Sequence, residues 1–309
     1  MGLFGNILLS SIILVLMSER VREKLSAWFE VNRFRALAIP SALLTINAIL
    51  LSIAGAWDSD SFTRLTLYFL APTMAVISFN RSAGTSGWKS AGLNFFILAL
   101  LWLPVAFRLI QKNWKFNEYN YSLTALSAVI FALVVFTTIR KLDFSMAWQV
   151  RWQDLKKVFW MYLLLAGPLI SITLIMGFTK FNLSKKFDWD SYLLAPQLLI
   201  FFIGLWFAPA LVEEIIFRGV IQNVLVERLK PIAGILIASV IFGVSHIGNR
   251  EGGYRFPNWP YVALASFAGL AYGLVFYVCK KQESRNALAM AATLHAAVDF
   301  TWFVFLRNR

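Results

Sequence analysis

The chain has 309 residues, of which 59% are hydrophobic and only 15% are charged, against about 25% charged in ordinary soluble domains. Its mean hydropathy of +0.66 and its series of apolar runs are typical of a helical protein that crosses a membrane several times, and exclude an ordinary soluble domain. The net charge of +13 does not indicate nucleic-acid binding, because the Lys and Arg residues lie in short loops, as expected of loops that orient a membrane protein.

Apolar runs along the chain predict ten membrane spans. The first, at residues 3–17, is short, and the segment from Ser18 to Arg35 that follows is basic and aromatic, which predicts a position in the plane of the membrane interface. Most of the other runs approach the roughly 20 residues that cross a bilayer. They lie at about 36–57, 65–79, 93–110, 123–139, 158–179, 194–217, 232–247, 259–279 and 287–306.

The last four runs differ from the others in their chemistry. They contain both histidines of the chain and all three acids that lie inside apolar runs. Since a charged side chain near the bilayer centre costs roughly 2.5–3.5 kcal/mol, such residues usually have a function. We therefore predict an all-α transmembrane bundle of about eight to ten spans, in which residues 1–190 form N-terminal helices of unassigned role and residues 191–309 form a catalytic four-helix core.

Two adjacent acids, Glu213 and Glu214, follow the run that begins at residue 194. Glu214 and Arg218 are four residues apart and can pair on one helix face. Glu213 lies about 100° further round the helix, so its carboxylate is available for chemistry. Pro209 cannot donate a backbone hydrogen bond, which predicts a kink that could admit water or an extended peptide.

Helix lengths predict that these acids meet both histidines. With a turn at Pro231, Glu213 lies about 24 Å before the turn and His246 about 22 Å after it, so an antiparallel hairpin brings them to similar depth. His295 lies about 15 Å along its own helix, and Asp299 follows one helical turn later on the same face. The sequence thus predicts one site instead of scattered polar residues.

The span at 259–279 carries a regular series of small residues. Ala265, Gly269 and Gly273 recur every four residues, which predicts a helix face against which another backbone packs closely. Cys279, the only cysteine, ends this run and is expected to be a packing residue. A single cysteine excludes an internal disulfide and a multi-cysteine metal site.

Several chemistries are compatible with such a site. A carboxylate and a histidine could hold and deprotonate a water for attack on a carbonyl, while His295 and Asp299 bind the oxyanion or orient its donor. Two histidines and carboxylates also fit a zinc site with three protein ligands and a water. A proton-coupled transporter and a non-catalytic immunity or assembly factor are further alternatives, although transporters tend to show internal repeats with discontinuous helices in both halves.

Three motifs in this region resemble the signature of a known family, the CAAX protease and bacteriocin-processing (CPBP or Abi) family of intramembrane proteases, related to type II CAAX prenyl endopeptidase. The resemblance covers about residues 194–306. It implies an all-helical membrane endopeptidase that uses a glutamate-activated water. The motifs are Glu213-Glu214-x-x-x-Arg218, Phe242-x-x-x-His246 and His295-x-x-x-Asp299.

The resemblance also assigns roles by motif. Glu213 would be the base, His246 its partner on the water, and His295 with Asp299 the oxyanion site. Asp299 departs from the asparagine of eukaryote-like members, and an ionised Asp cannot donate to an oxyanion, so it either stays protonated or orients His295. The supporting residues would be Glu214 and Arg218.

The expected partners follow from these assignments. We expect a membrane-associated protein or peptide as substrate, the lipid bilayer as environment, and no nucleic-acid partner. The chain has no His-Glu-x-x-His pair, so we expect neither a metal nor another cofactor. We predict a multi-pass protein of a bacterial or archaeal plasma membrane.

Overall fold

The computed structural model describes residues 2–55, 57–84, 87–106, 110, 118–147 and 149–306. All regular secondary structure in these ranges is helical, which confirms the predicted all-α class. The chain forms two compact units, Met1–Asp143 and Phe144–Arg309. The second unit contains the predicted core at 191–309 together with the helix before it, and a functional boundary at residue 190 stays a prediction.

The described residues of the first unit form six α-helices. The axes of the first two differ by 83°, and the guanidinium of Arg35 lies 5.2 Å from the ring centroid of Trp28 on the second. The interfacial position predicted for this segment stays a prediction. The helices are Gly2–Leu16 (α1), Glu19–Val31 (α2), Ala38–Ile53 (α3), Ser59–Ala83 (α4), Gly87–Ala106 (α5) and Glu118–Val134 (α6), with a 3-10 turn at Arg33–Leu37 and a π-helical extension of α6 at Val135–Ile139.

A buried arginine ties three helices of the first unit together. Arg140, which follows the extension of α6, is 1% exposed. Its guanidinium donates to the Asn94 side chain at 2.7 Å, to the Gly84 carbonyl at 2.8 Å and to the Ser90 hydroxyl at 2.6 Å. Because burial of a charge is costly unless its hydrogen bonds are replaced, these acceptors fix the end of α4 and the body of α5 around it.

Five long helices lie within the part of the second unit that the structure describes. The longest runs without interruption through residues 194–228 and carries the adjacent glutamates. The next two are joined by a loop that starts at His246, directly after the last helical residue, Ser245. The helices are Trp152–Ile175 (α7), Leu194–Arg228 (α8), Pro231–Ser245 (α9), Trp259–Lys281 (α10) and Ala287–Thr301 (α11), with a π-helical extension of α11 at Trp302–Leu306.

Seven helices in the described part of the chain are long and apolar enough to cross a membrane, or eight if the bent pair α1 and α2 is one span. Two shorter apolar helices, Leu123–Ile139 and Pro231–Ser245, account for the other predicted spans. Residues 107–109, within the predicted span 93–110, lie outside the described residues. The chain is therefore a multi-pass membrane protein, and a bacterial or archaeal origin stays a prediction.

The span predicted at 158–179 differs in its bounds, since α7 begins at Trp152 and ends at Ile175. The first turn of α7 contains charged residues. It is helical because the carboxylate of Asp154 is fully buried and has hydrogen-bond partners. The carboxylate accepts from Arg151 and Lys157, each at 2.8 Å, and from the Ser284 hydroxyl at 2.7 Å. The end is set by Gly177, whose φ of 64° lies in the left-handed region that terminates helices.

The disruption predicted at Pro209 takes the form of a widened turn. Residues Trp206–Ala210 are π-helical, and a second π-helical stretch covers Ile215–Gln222. Only the four residues Leu211–Glu214 between them are α-helical. A π-helical turn accommodates the proline, which has no N–H to donate, without ending α8. Such stretches occur often at functional sites, and here they flank both glutamates.

The small residues of α10 allow close packing, as predicted. A β-carbon at Gly269 would lie 2.8 Å from the Phe242 ring, and one at Gly273 would lie 2.5 Å from the Gln222 side chain. On α9, a β-carbon at Gly243 would overlap the Ser266 hydroxyl and a backbone carbonyl of α10. Cys279 is fully buried, as expected of a packing residue.

We expect Gly243→Ala to destabilise the second unit by about 1–3 kcal/mol, because the backbone of α10 cannot move away from the added methyl group. The control is Gly167→Ala on α7, where no described atom lies within 4 Å of the added carbon. That control should keep or raise the stability by up to about 1 kcal/mol, since alanine favours helix over glycine. Thermal unfolding in detergent measures both, and equal Tm values would contradict the packing assignment.

Candidate active site

The second unit encloses a cavity of about 300 Å³ that receives the predicted catalytic side chains. Glu213 reaches it from α8, His246 from the end of α9, and both His295 and Asp299 from α11. The structure thus brings together four residues from three helices, as helix length and spacing predict. The remaining wall is mainly apolar and aromatic.

Glu213 stands between the two imidazoles. Its Oε2 lies 3.8 Å from Nε2 of His246 and 3.9 Å from Nε2 of His295. Both separations exceed a hydrogen bond, and this buried oxygen has no hydrogen-bond partner among the described residues. Since buried polar atoms are nearly always hydrogen-bonded, the gap is suited to a water molecule or a substrate atom.

Glu214 is fully buried and connects two helices. Its Oε1 lies 2.9 Å from Nδ1 of His295, a hydrogen bond from α11 to α8. Its Oε2 lies 3.1 Å from Nε of Arg218, an ionic contact that is not aligned as a hydrogen bond. The ion pair is the one that the i,i+4 spacing predicts, whereas the bond to His295 depends on helix packing and was not predicted.

Arg218 is 1% exposed and is held from several sides. Its Nη2 donates to the carbonyl of Gly269 at 2.7 Å. The guanidinium carbon lies 4.8 Å from the ring centroid of Phe242 and 5.4 Å from that of Tyr272. These cation–π contacts and the pair with Glu214 replace the hydration that the buried charge loses.

Each histidine uses Nδ1 to hold its ring and turns Nε2 toward Glu213. Nδ1 of His246 lies 2.8 Å from the Phe242 carbonyl. A carbonyl oxygen can only accept, so Nδ1 carries the proton in this bond and a neutral His246 has its acceptor at Nε2. His295 is oriented in the same manner by Glu214, as metal-free and metal-bound catalytic histidines usually are by a second group.

Asp299 lines the cavity beside His295, with Oδ2 3.6 Å from Nε2. This distance is longer than a hydrogen bond. The carboxylate in hydrogen-bond contact with His295 is Glu214, at Nδ1. One role expected for Asp299 was to orient His295. Glu214 is therefore the stronger candidate for that role.

Sequence reasoning missed the contribution of α10 to this site. Tyr261, Ala265, Ala268 and Tyr272 all line the cavity. Aromatic and small residues in an apolar helix predict packing and carry no signal for a site, and only the small-residue spacing was informative. Among the described residues, no group of three or more His, Cys, Asp or Glu side chains is arranged to hold a metal ion.

We expect Glu214→Ala and Arg218→Ala each to lower stability by about 3–5 kcal/mol, because each leaves a buried charge without its partner. The matched control is Asp60→Ala, which removes one member of the exposed i,i+4 pair with Arg64 on α4. That change should cost less than about 1 kcal/mol. Thermal unfolding and folded yield in detergent compare them, and wild-type stability of both buried-pair variants would contradict the assignment.

Comparison with known proteins agrees with these motifs. Residues 195–301 match the family model described as type II CAAX prenyl endopeptidase Rce1-like. The matched range contains all of the site residues described above, namely Glu213, Glu214, His246, His295 and Asp299. Neither a curated protein nor a solved structure matched the chain. On the family match, residues 195–301 are therefore similar to that Rce1-like family.

Proposed function

We propose that the chain is an intramembrane endopeptidase that hydrolyses peptide bonds of membrane-associated or lipid-modified proteins with a water activated by Glu213. One observation carries the proposal. The buried Oε2 of Glu213 has no hydrogen-bond partner among the described residues and faces Nε2 of both His246 and His295 at a cavity of about 300 Å³.

The attacking water would lie between Glu213 and His246. Nε2 of neutral His246 and the Glu213 carboxylate both accept hydrogen bonds, so each receives one from an O–H of the water, and an oxygen lone pair faces the cavity. As this oxygen bonds to the scissile carbonyl carbon, Glu213 takes a proton and the carbonyl electron pair moves onto its oxygen. When the C–N bond breaks, Glu213 returns the proton to the leaving amine.

His295 is placed to stabilise the oxyanion. In its protonated form Nδ1–H donates to Glu214, and Nε2–H is directed into the cavity. The buried carboxylate of Glu214 favours this imidazolium by a charge-assisted hydrogen bond. Preorganised donors of this kind contribute a large part of the catalysis of acyl transfer. Asp299 adds a second donor only while its own carboxyl is protonated.

The walls of the cavity fit an apolar segment of a substrate. Leu264, Ala265, Ala268 and Val298 line it opposite the polar group. The matching family is named for prenyl endopeptidases, and we extend only the general class, a lipid-modified or membrane-embedded protein, to this chain. A desolvated peptide bond would meet the carboxylate in a site of low dielectric, where electrostatic stabilisation is strongest.

We expect Glu213→Gln to lower the peptidase rate by about 10²–10⁴-fold while the protein still folds, because the amide keeps the shape but cannot take a proton. The matched control is Glu227→Gln, an exposed acid on the same helix, which should leave the rate unchanged. Comparison of cleaved protein termini in membranes carrying either variant also identifies substrates. Undiminished cleavage by purified Glu213→Gln protein would contradict the mechanism.

A second test separates activation by glutamate from activation by zinc, which would use the same side chains. A zinc ion would need a carboxylate as third ligand and would take Glu213 or Asp299 from its assigned role. We expect activity to persist after prolonged chelation and elemental analysis to find no stoichiometric transition metal. Activity lost on chelation and restored by zinc, with about one zinc per chain, would replace the mechanism but keep the residues.

A further inference from the structure

Helix α10 contains no acid and no histidine, yet it contacts both imidazoles of the site. The ring of Tyr261 stacks on His246, with centroids 5.6 Å apart and planes inclined by 24°. The ring of Tyr272 stacks on His295, with centroids 4.6 Å apart and planes inclined by 17°. One helix thus places a flat aromatic surface against each histidine.

The spacing of these tyrosines matches the site. They are about three helical turns apart, so they project from the same face of α10 and reach the site from its two ends. Ala265 and Ala268 lie between them on that face and line the cavity. This face of α10 therefore carries an aromatic ring at each end and small side chains between them. The small side chains leave the space over Glu213 open.

Both tyrosines are themselves fixed. Tyr272 is 2% exposed and its ring is also covered by the Arg218 guanidinium. The backbone N–H of Tyr261 donates to the buried Asn258 side chain at 3.1 Å. The same asparagine donates to the carbonyls of Asn249 and Glu251, at 2.9 and 3.1 Å, in the loop that follows His246. Asn258 thus holds both the backbone at Tyr261 and the loop that follows His246.

We propose that Tyr261 and Tyr272 are positioning residues for the two histidines, an inference that rests on the proposed function. The hydrogen-bond contacts at Nδ1 fix one ring atom of His246 and of His295 but still allow the ring plane to rotate. A stacked aromatic ring restrains that plane, because aromatic pairs have preferred relative orientations. The two tyrosines therefore keep both Nε2 atoms directed at Glu213.

The first test needs no catalysis. The chain has two histidines, so protein labelled with ¹³C at histidine Cε1 gives two imidazole signals, which His295→Gln assigns. We expect Tyr272→Leu to shift and broaden the signal of His295, and Tyr261→Leu to do so for His246, while each Phe variant keeps the wild-type signals. Tyr277→Leu, a partly exposed tyrosine of the same helix, is the matched control and should move neither signal.

The second test is kinetic. Because a displacement of about 1 Å at a catalytic group can cost about 10²-fold, each Leu variant should lower kcat by about 10- to 100-fold with little change in KM, and each Phe variant should restore it. If Tyr272→Leu does not accumulate, Tyr261→Leu at the partly exposed end decides the question.

The outcomes separate this proposal from the proposed function. Leu variants with wild-type signals and wild-type kcat would overturn the positioning role. Phe variants as inactive as the Leu variants would assign the function to the hydroxyl instead and would also overturn it. A wild-type protein without peptidase activity would remove the proposed function, while the imidazole signals would still decide whether the tyrosines hold the rings.

Discussion

The structure of the second unit depends on the burial of Glu214. This carboxylate is fully buried, and it meets Arg218 of its own helix and His295 of α11. Because a buried charge without its partners is costly, the contacts of Glu214 favour the arrangement in which α8 and α11 pack together here. That arrangement directs Nε2 of His295 into the cavity. Burial of Glu214 therefore contributes both to the packing of the helices and to the orientation of a candidate catalytic group.

Helix α8 shares this network with the backbone of α10. Side chains four residues apart on α8, Arg218 and Gln222, donate to the carbonyls of Gly269 and Gly273, which are also four residues apart. An added β-carbon would lie 2.5 Å from the Gln222 side chain at Gly273, and at Gly269 it would lie 2.8 Å from the Phe242 ring and 3.4 Å from Nη2 of Arg218. The π-helical stretch Ile215–Gln222 carries both donors. The small residues of α10 thus admit polar groups as well as close packing.

Some polar groups at the cavity hold the helices and rings in place, whereas Glu213 is available for chemistry. Glu214 pairs with Arg218 and holds the ring of His295, whereas Oε2 of Glu213 faces Nε2 of both histidines, at 3.8 and 3.9 Å, and has no hydrogen-bond partner among the described residues. A buried oxygen without a partner is costly for stability, which favours a role for Glu213 in chemistry. The family match to residues 195–301 includes all of these side chains. The first unit has its own buried Arg140 network, and its role stays unassigned.

The helical class and the multi-pass architecture could be predicted from the sequence, and the sequence also indicates which residues form the candidate site. Apolar runs, the i,i+4 pair of Glu214 and Arg218, and the depths of Glu213 and His246 all follow from the fixed rise and period of a helix. Local spacing carries no information on which helix faces which. The bond of His295 to Glu214 and the stacking of Tyr261 on His246 and of Tyr272 on His295 arise between separate helices and loops. Only tertiary packing decides these contacts, because their energies depend on burial and on the close approach that glycines allow.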